Sequence, residues 1–110
     1  MTSSYARVGV GEPLGPLDYS IPEPLRDSIA VGAVVRVPLG QRRVVGIVLS
    51  LLAKPADELE ANQIKDLFDI VDEYPVIPQA LIKVIEFGAD YYGVPIGEFV
   101  KLVLPWEAQA

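Results

Sequence analysis

The chain has 110 residues, 51% hydrophobic and 22% charged, with no cysteine and no histidine. That is the composition of one folded domain, and it excludes disulfides, thiolate nucleophiles, Ser-His-Asp triads and His-ligated metals. The formal charge is −6, yet residues 1–55 hold four acids and six bases while residues 56–110 hold eleven acids and three bases, so a polyanion is expected to meet the first half.

Residues 4–10, SYARVGV, set Val8 and Val10 on one face and Arg7 and Gly9 on the other, as a short first strand does. The following GEPLGP, residues 11–16, is dense in turn formers and reads as a loop. Residues 17–21, LDYSI, alternate again, with Leu17, Tyr19 and Ile21 on one face, and Pro22 and Pro24 close the strand. VVRVP at 34–38 is the next strand. The turn Pro38-Leu39-Gly40-Gln41 leads into RRVVGIVLSLL, residues 42–52, which pairs back as a hairpin. Gly46 inside that strand marks a bulge or bend. KPADELEAN at 54–62 is a polar loop. IKDLFDIVDEY at 64–74 is ambiguous in period, and its β-branched content and flanking loops predict a strand.

From Pro78 the period becomes helical. Leu81, Val84, Ile85, Gly88, Ala89 and Tyr92 share one face, Gln79, Lys83, Glu86 and Asp90 the other, and Gly93 is the stop. After Pro95, the residues Ile96, Phe99, Val100, Val103 and Leu104 define a second, shorter helix ended by Pro105. The pattern predicts an α+β fold: a small antiparallel β-barrel, SH3- or OB-like, of about five strands. The barrel spans residues 1–75 and a two-helix C-terminal cap spans 76–110, together one domain.

The chemistry visible in the residues is sparse. GVGEPLG is GxGxxxG with no long helix after it, and there is no GxxxxGK[ST], so neither phosphate-cradle pattern is present. The acids from Asp57 to Glu73 lack calcium-loop spacing and read as a solvated face. Arg42 and Arg43 are adjacent on a strand and point to opposite faces, with Arg36 across the turn. They form either a charged hairpin tip or a DNA-backbone contact patch. No catalytic or metal site is expected. The N-terminus lacks the apolar core of a signal peptide, and the longest apolar run, residues 44–53, falls short of the roughly 20 residues that span a bilayer. A soluble, cytoplasmic protein without a membrane partner is expected.

Three segments together carry a resemblance. PLDYSIP (16–22), VRVPLG (35–40) followed by GIV (46–48), and ADYYGVPIG (89–97) closely resemble, in order and spacing, the N-terminal DNA-binding domain family of the bacterial replication-restart helicases of the PriA type. The resemblance runs over residues 5 to 105. It implies a module that binds the 3′ end of the nascent leading strand at stalled forks and D-loops without base specificity. The implied site for the terminal nucleotide falls on Leu17, Asp18, Tyr19, Gly40 and Lys65. Leu17 stands where the family often has Phe and cannot stack a base, so the stacking role falls to Tyr19. In this reading Asp18 accepts hydrogen bonds from a terminal hydroxyl and repels a phosphate, Gly40 admits close backbone approach, and Lys65 offsets phosphate charge.

The resemblance also implies a parent protein that is an ATP-dependent 3′–5′ helicase. ATP, Mg²⁺ and zinc would belong to that helicase portion, and no cofactor to this chain, which is no enzyme by itself. The implied partners are forked or single-stranded DNA with a 3′-OH end, the parent's helicase core, and primosome and single-stranded-DNA-binding proteins, in the bacterial cytoplasm at the nucleoid. The acidic second half supports an alternative, an SH3-like protein–protein interaction module.

Overall fold

The computed structural model of the chain describes residues 3–54 and 64–104. Five strands, β1 (Tyr5–Val10), β2 (Leu17–Ser20), β3 (Val34–Leu39), β4 (Arg42–Leu52) and β5 (Asp69–Ile70), precede helices α1 (Gln79–Tyr92) and α2 (Gly97–Val103). The strands form one sheet in the order β2-β1-β4-β3-β5, antiparallel throughout. The α+β class and the terminal pair of helices agree with the sequence pattern.

The barrel does not form. Among the described residues β2 and β5 are the two edges of the sheet, and no ladder joins them. A single parallel bridge between Ser20 and Asp66 spans the gap. In it the Ser20 amide donates to the Lys65 carbonyl and the Leu67 amide to the Ser20 carbonyl, both at 3.0 Å. The reason lies in residues 64–74, where only Asp69–Ile70 is strand. Leu67 is buried in the core on one face of the sheet and Val71 in the core on the other. A regular strand would set residues four apart on the same face. The segment instead wraps round the sheet edge, which leaves too few paired residues to close a barrel.

The two cores explain the apolar strands. One joins Ala6, Val8, Tyr19, Ile21, Val35, Val37, Val48 and Leu67. The other joins Val34, Ile47 and Leu49 to Ile82, Ile85 and Ala89 of α1 and Val100 of α2. Neighbours such as Val34 and Val35, or Ile47 and Val48, go to opposite sides, so β3 and β4 are apolar on both faces. Ile21, Ile47, Leu67, Ile82 and Ile85 are each under 2% exposed, and burying such a side chain contributes about 1.5–3 kcal/mol.

Three local expectations change. The β-bulge is not at Gly46: the β1–β4 register jumps from Arg7–Ser50 to Val8–Val48, which makes Leu49 the extra residue. Gly46 is instead where β1 comes closest, since a Cβ there would lie 2.7 Å from the Gly9 carbonyl oxygen. Pro38 and Leu39 belong to β3, paired with Arg43 and Arg42. The turn is therefore only Gly40 and Gln41, with Gly40 left-handed at φ 62, as the first residue of a type II′ hairpin must be. Finally, α1 is rotated relative to the predicted face. It buries Ile82, Ile85, Gly88 and Ala89, while Val84 and Tyr92 are exposed. Gly93, with φ 65, caps it as predicted. The predicted loop at 54–62 and the Pro105 stop lie largely outside the described residues.

Candidate nucleic-acid interface

β2 carries the central triplet. Its alternation sends Leu17 and Tyr19 toward the core and Asp18 outward. In the β1–β2 ladder Arg7 lies directly opposite Asp18, and Arg7 Nε donates to Asp18 Oδ1 at 3.1 Å. The pair is part-buried, with 33% and 15% of the two side chains exposed. Arg7 fixes the orientation of the carboxylate and offsets its charge at a distance.

Tyr19 is 5% exposed. Its hydroxyl donates to the Pro38 carbonyl at 2.7 Å, and burial raises its pKa above the ordinary 10.0. Its ring is packed in the core and is not presented as a stacking platform. Its contribution to the site is a tie: it fastens β2 to the end of β3, two residues before Gly40. Gly40 is exposed, and a Cβ there would meet nothing within 4 Å. Among the described residues nothing packs on the side of Gly40 where a Cβ would stand, which leaves its backbone open to close approach.

Lys65 is exposed and sits in the bridge itself, through its carbonyl bond to Ser20. Ser20 Oγ also donates to Asp66 Oδ1. β2 is thus tied both to the end of β3, next to the turn, and to residues 65–67. Asp18, Tyr19, Gly40 and Lys65 all lie in or beside these segments. Leu17 is half-buried against the core and contributes packing.

The three arginines of the hairpin each have an intramolecular partner. Arg36 pairs with Asp69 at 2.8 Å, and Arg42 with Glu12 at 2.9 Å. The Arg43 guanidinium lies 4.3 Å from the centre of the Phe68 ring. Arg42 and Arg43 do diverge, as adjacent strand residues must. The candidate site residues read from the sequence did not include Arg7, Pro38 or Phe68. Arg7 had a signal: in a hairpin joined by the 11–16 loop, opposite charges on the two strands invite pairing. Pro38 had none, because a backbone acceptor leaves no trace in composition.

Among the described residues no helix is long and apolar enough to cross a membrane. Comparison with known proteins converges on one family. Residues 8–105 match the family model described as the 3′ DNA-binding domain. The chain is 38% identical over 93 residues to the replication restart protein PriA of Chlamydia trachomatis, covering 81% of this chain and 12% of that protein. It is 36% identical over 67 residues to the protein of the same name from Bacillus subtilis, covering 61% and 8%. With the Chlamydia pneumoniae protein it shares 30% identity over 102 residues, 92% and 13% of the two chains. The chain spans about one-eighth of the length of the Chlamydia relatives. On the family match and these identities, it belongs to the family of 3′ DNA-binding domains of the replication restart protein PriA.

Proposed function

We propose that this domain holds the 3′-terminal nucleotide of a DNA strand, at stalled forks and D-loops, along the edge strand β2 and the segments tied to it, the end of β3 with its turn and residues 65–67. The observation that supports the reading is the tie just described: one tyrosine hydroxyl joins β2 to Pro38, two residues before Gly40, and two backbone hydrogen bonds join β2 to the segment that carries Lys65. An edge suits this task because both faces of the sheet are already covered by apolar cores.

In this reading Asp18 accepts a hydrogen bond from the terminal 3′-hydroxyl. Arg7 offsets the charge of Asp18 at long range, so discrimination against a 3′-phosphate acts at contact. A phosphate oxygen and a carboxylate oxygen are both acceptors, with no proton to share between them. The exposed Gly40 backbone lies against the sugar or base, and Lys65 faces the adjacent phosphate. Because Tyr19 is packed away, any stacking falls to Phe68 and Arg43, whose guanidinium lies over the Phe68 ring and whose backbone is paired with Pro38. Arg36, Arg42 and Arg43 would reach backbone phosphates only by leaving their present partners. Few phosphate contacts fit a domain of net charge −6 and imply a shallow salt dependence.

The same reading makes the domain the DNA-addressing part of a longer ATP-dependent 3′–5′ helicase in the bacterial cytoplasm. It would work beside that helicase core and the primosome and single-stranded-DNA-binding proteins. The test is fluorescence anisotropy with a fork bearing a 3′-OH leading strand and the same fork bearing a 3′-phosphate, each with wild type and Asp18→Asn. The 3′-OH fork should bind several-fold tighter, and Asp18→Asn should erase the difference. Equal binding of both forks by the wild type would overturn end recognition.

A further inference from the structure

Helix α1 carries two apolar stripes where one would suffice. The buried stripe, with Ile82, Ile85 and Ala89, packs on the sheet. The second consists of Ala80, Val84, Phe87 and Tyr91, at i, i+4, i+7 and i+11, and lies on the opposite side of the helix. Val84 is 63% exposed, Phe87 69% and Tyr91 71%. Tyr92, at 69%, carries the stripe round to α2, where Phe99 packs its ring over Gly88. The rings form a continuous row: Phe87 to Tyr91 at 5.9 Å, Tyr91 to Tyr92 at 5.1 Å and Tyr92 to Phe99 at 6.1 Å. Leu102, 73% exposed and one turn beyond Phe99, extends it. Single exposed apolar residues are ordinary, but a contiguous aromatic row of this kind marks an interaction surface.

Charge decides what the surface fits. Exposed aromatics on a DNA-binding domain suggest stacked bases, but base-stacking grooves are lined with cations that track the phosphates. Beside this row the helix presents Glu86 and Asp90, one residue before Phe87 and Tyr91 and four apart on one stripe. The same two residues border an open surface depression whose apolar lining includes Pro16, Val94, Pro95 and Ile96. Of the cations on these helices, Lys101 is engaged by Glu98 at 3.0 Å, which leaves Lys83 against the acidic stripe. The rim thus repels a phosphate backbone and attracts a cationic side chain.

We propose that the α1–α2 seam docks a basic amphipathic segment of a separate protein. Its apolar side chains would cover the Phe87–Tyr91–Tyr92–Phe99 row, and an arginine or lysine would lie in the open depression beside Glu86 and Asp90. The surface lies on different elements from the DNA edge and does not depend on that assignment.

The probe is an 18-residue synthetic helix of leucine and arginine with one apolar face, compared with its glutamate-for-arginine counterpart. Titration is followed by calorimetry and by amide shifts of the labelled domain. The basic peptide should bind at least tenfold tighter than the acidic one and shift amides of α1 and α2. Phe87→Ser with Tyr91→Ser, both at exposed positions, should weaken it at least tenfold with unchanged melting and unchanged fork binding. Glu86→Lys with Asp90→Lys should weaken it comparably, while the same charge change placed at Glu23 and Asp27 should not. Equal loss from the remote reversal would mean that global charge alone attracts the peptide, and would overturn the proposal. So would a thymidine oligonucleotide shifting the same α1 and α2 amides, which makes the row a base-stacking surface. A dimer in sedimentation that Phe87→Ser dissolves would assign the row to a second copy and would equally overturn it.

Discussion

Replacing Tyr19 with phenylalanine removes one hydroxyl and keeps the ring, so it isolates the tie between β2 and β3. The ring is 5% exposed, and phenylalanine refills the same space. The lost hydrogen bond, 2.7 Å long, contributes about 0.5–1.5 kcal/mol net. For a domain of this size, about 1 kcal/mol lowers Tm by about 4 °C. The pH dependence supplies a second signature. Burial raises the Tyr19 pKa above 10.0, so below that pH the hydroxyl is protonated in the folded and unfolded chains alike and its contribution is constant. As the pH climbs past 10 the unfolded chain releases the proton and the folded chain keeps it, and the wild type loses stability. Phenylalanine has no proton to lose. Urea denaturation of both proteins between pH 8 and 11 should show a gap that is widest at pH 8 and narrows above pH 10. A gap below about 0.3 kcal/mol at pH 8, far under the net worth of a hydrogen bond, would refute the tie. A gap that stays constant to pH 11 would refute the burial argument for the hydroxyl.

Gly97 is buried at the start of α2, where a Cβ would collide with the Glu12 carbonyl oxygen. Gly97→Ala should cost about 3 kcal/mol or more in thermal melts, whereas Gly15→Ala, with nothing within 4 Å of the new methyl, should be close to neutral. Arg36→Met should cost under about 1 kcal/mol in urea titrations at low salt, because its pair with Asp69 is 37% and 49% exposed, and the cost should vanish near 1 M salt. Lys65→Met should weaken DNA binding equally for all sequences and reduce the salt slope by about one, with unchanged melting.

The regular elements were legible because their apolar periods are local. β1, β2, β3, β4 and both helices fall within a residue or two of the sequence pattern. What failed depended on contacts distant in sequence. Residues 64–74 read as a strand because Leu67 and Val71 are apolar and β-branched neighbours surround them. Nothing local says that these two residues serve different cores, and that division is what prevents a closed barrel. The face of α1 was misplaced because it has two apolar stripes, and hydropathy cannot tell a stripe that meets the sheet from one that meets solvent. A bulge or bend is expected at Gly46 because glycine is the usual marker, whereas the irregularity in the β1–β4 register is carried by Leu49. For the candidate site, the triplet 17–19, Gly40 and Lys65 were marked by resemblance, and the structure ties β2 to the end of β3, beside Gly40, and to the segment that carries Lys65. The inward turn of Tyr19 followed from alternation alone, since it shares its face with Leu17 and Ile21.

Among the described residues, two backbone hydrogen bonds and a serine–aspartate contact link Ser20 to residues 65–67 across the sheet's edges. Opening that bridge uncovers one end of the core around Leu67 without disturbing the β1–β4–β3 ladders or the helices. The edge is thus the natural place for sub-global opening, at a cost well below that of unfolding the whole domain. The amides of Ser20 and Leu67 should accordingly exchange with solvent sooner than those of β4. A strand end lodged across Asp18 and Lys65 would slow that exchange, reporting its own arrival through the hydrogen bonds that it stitches shut.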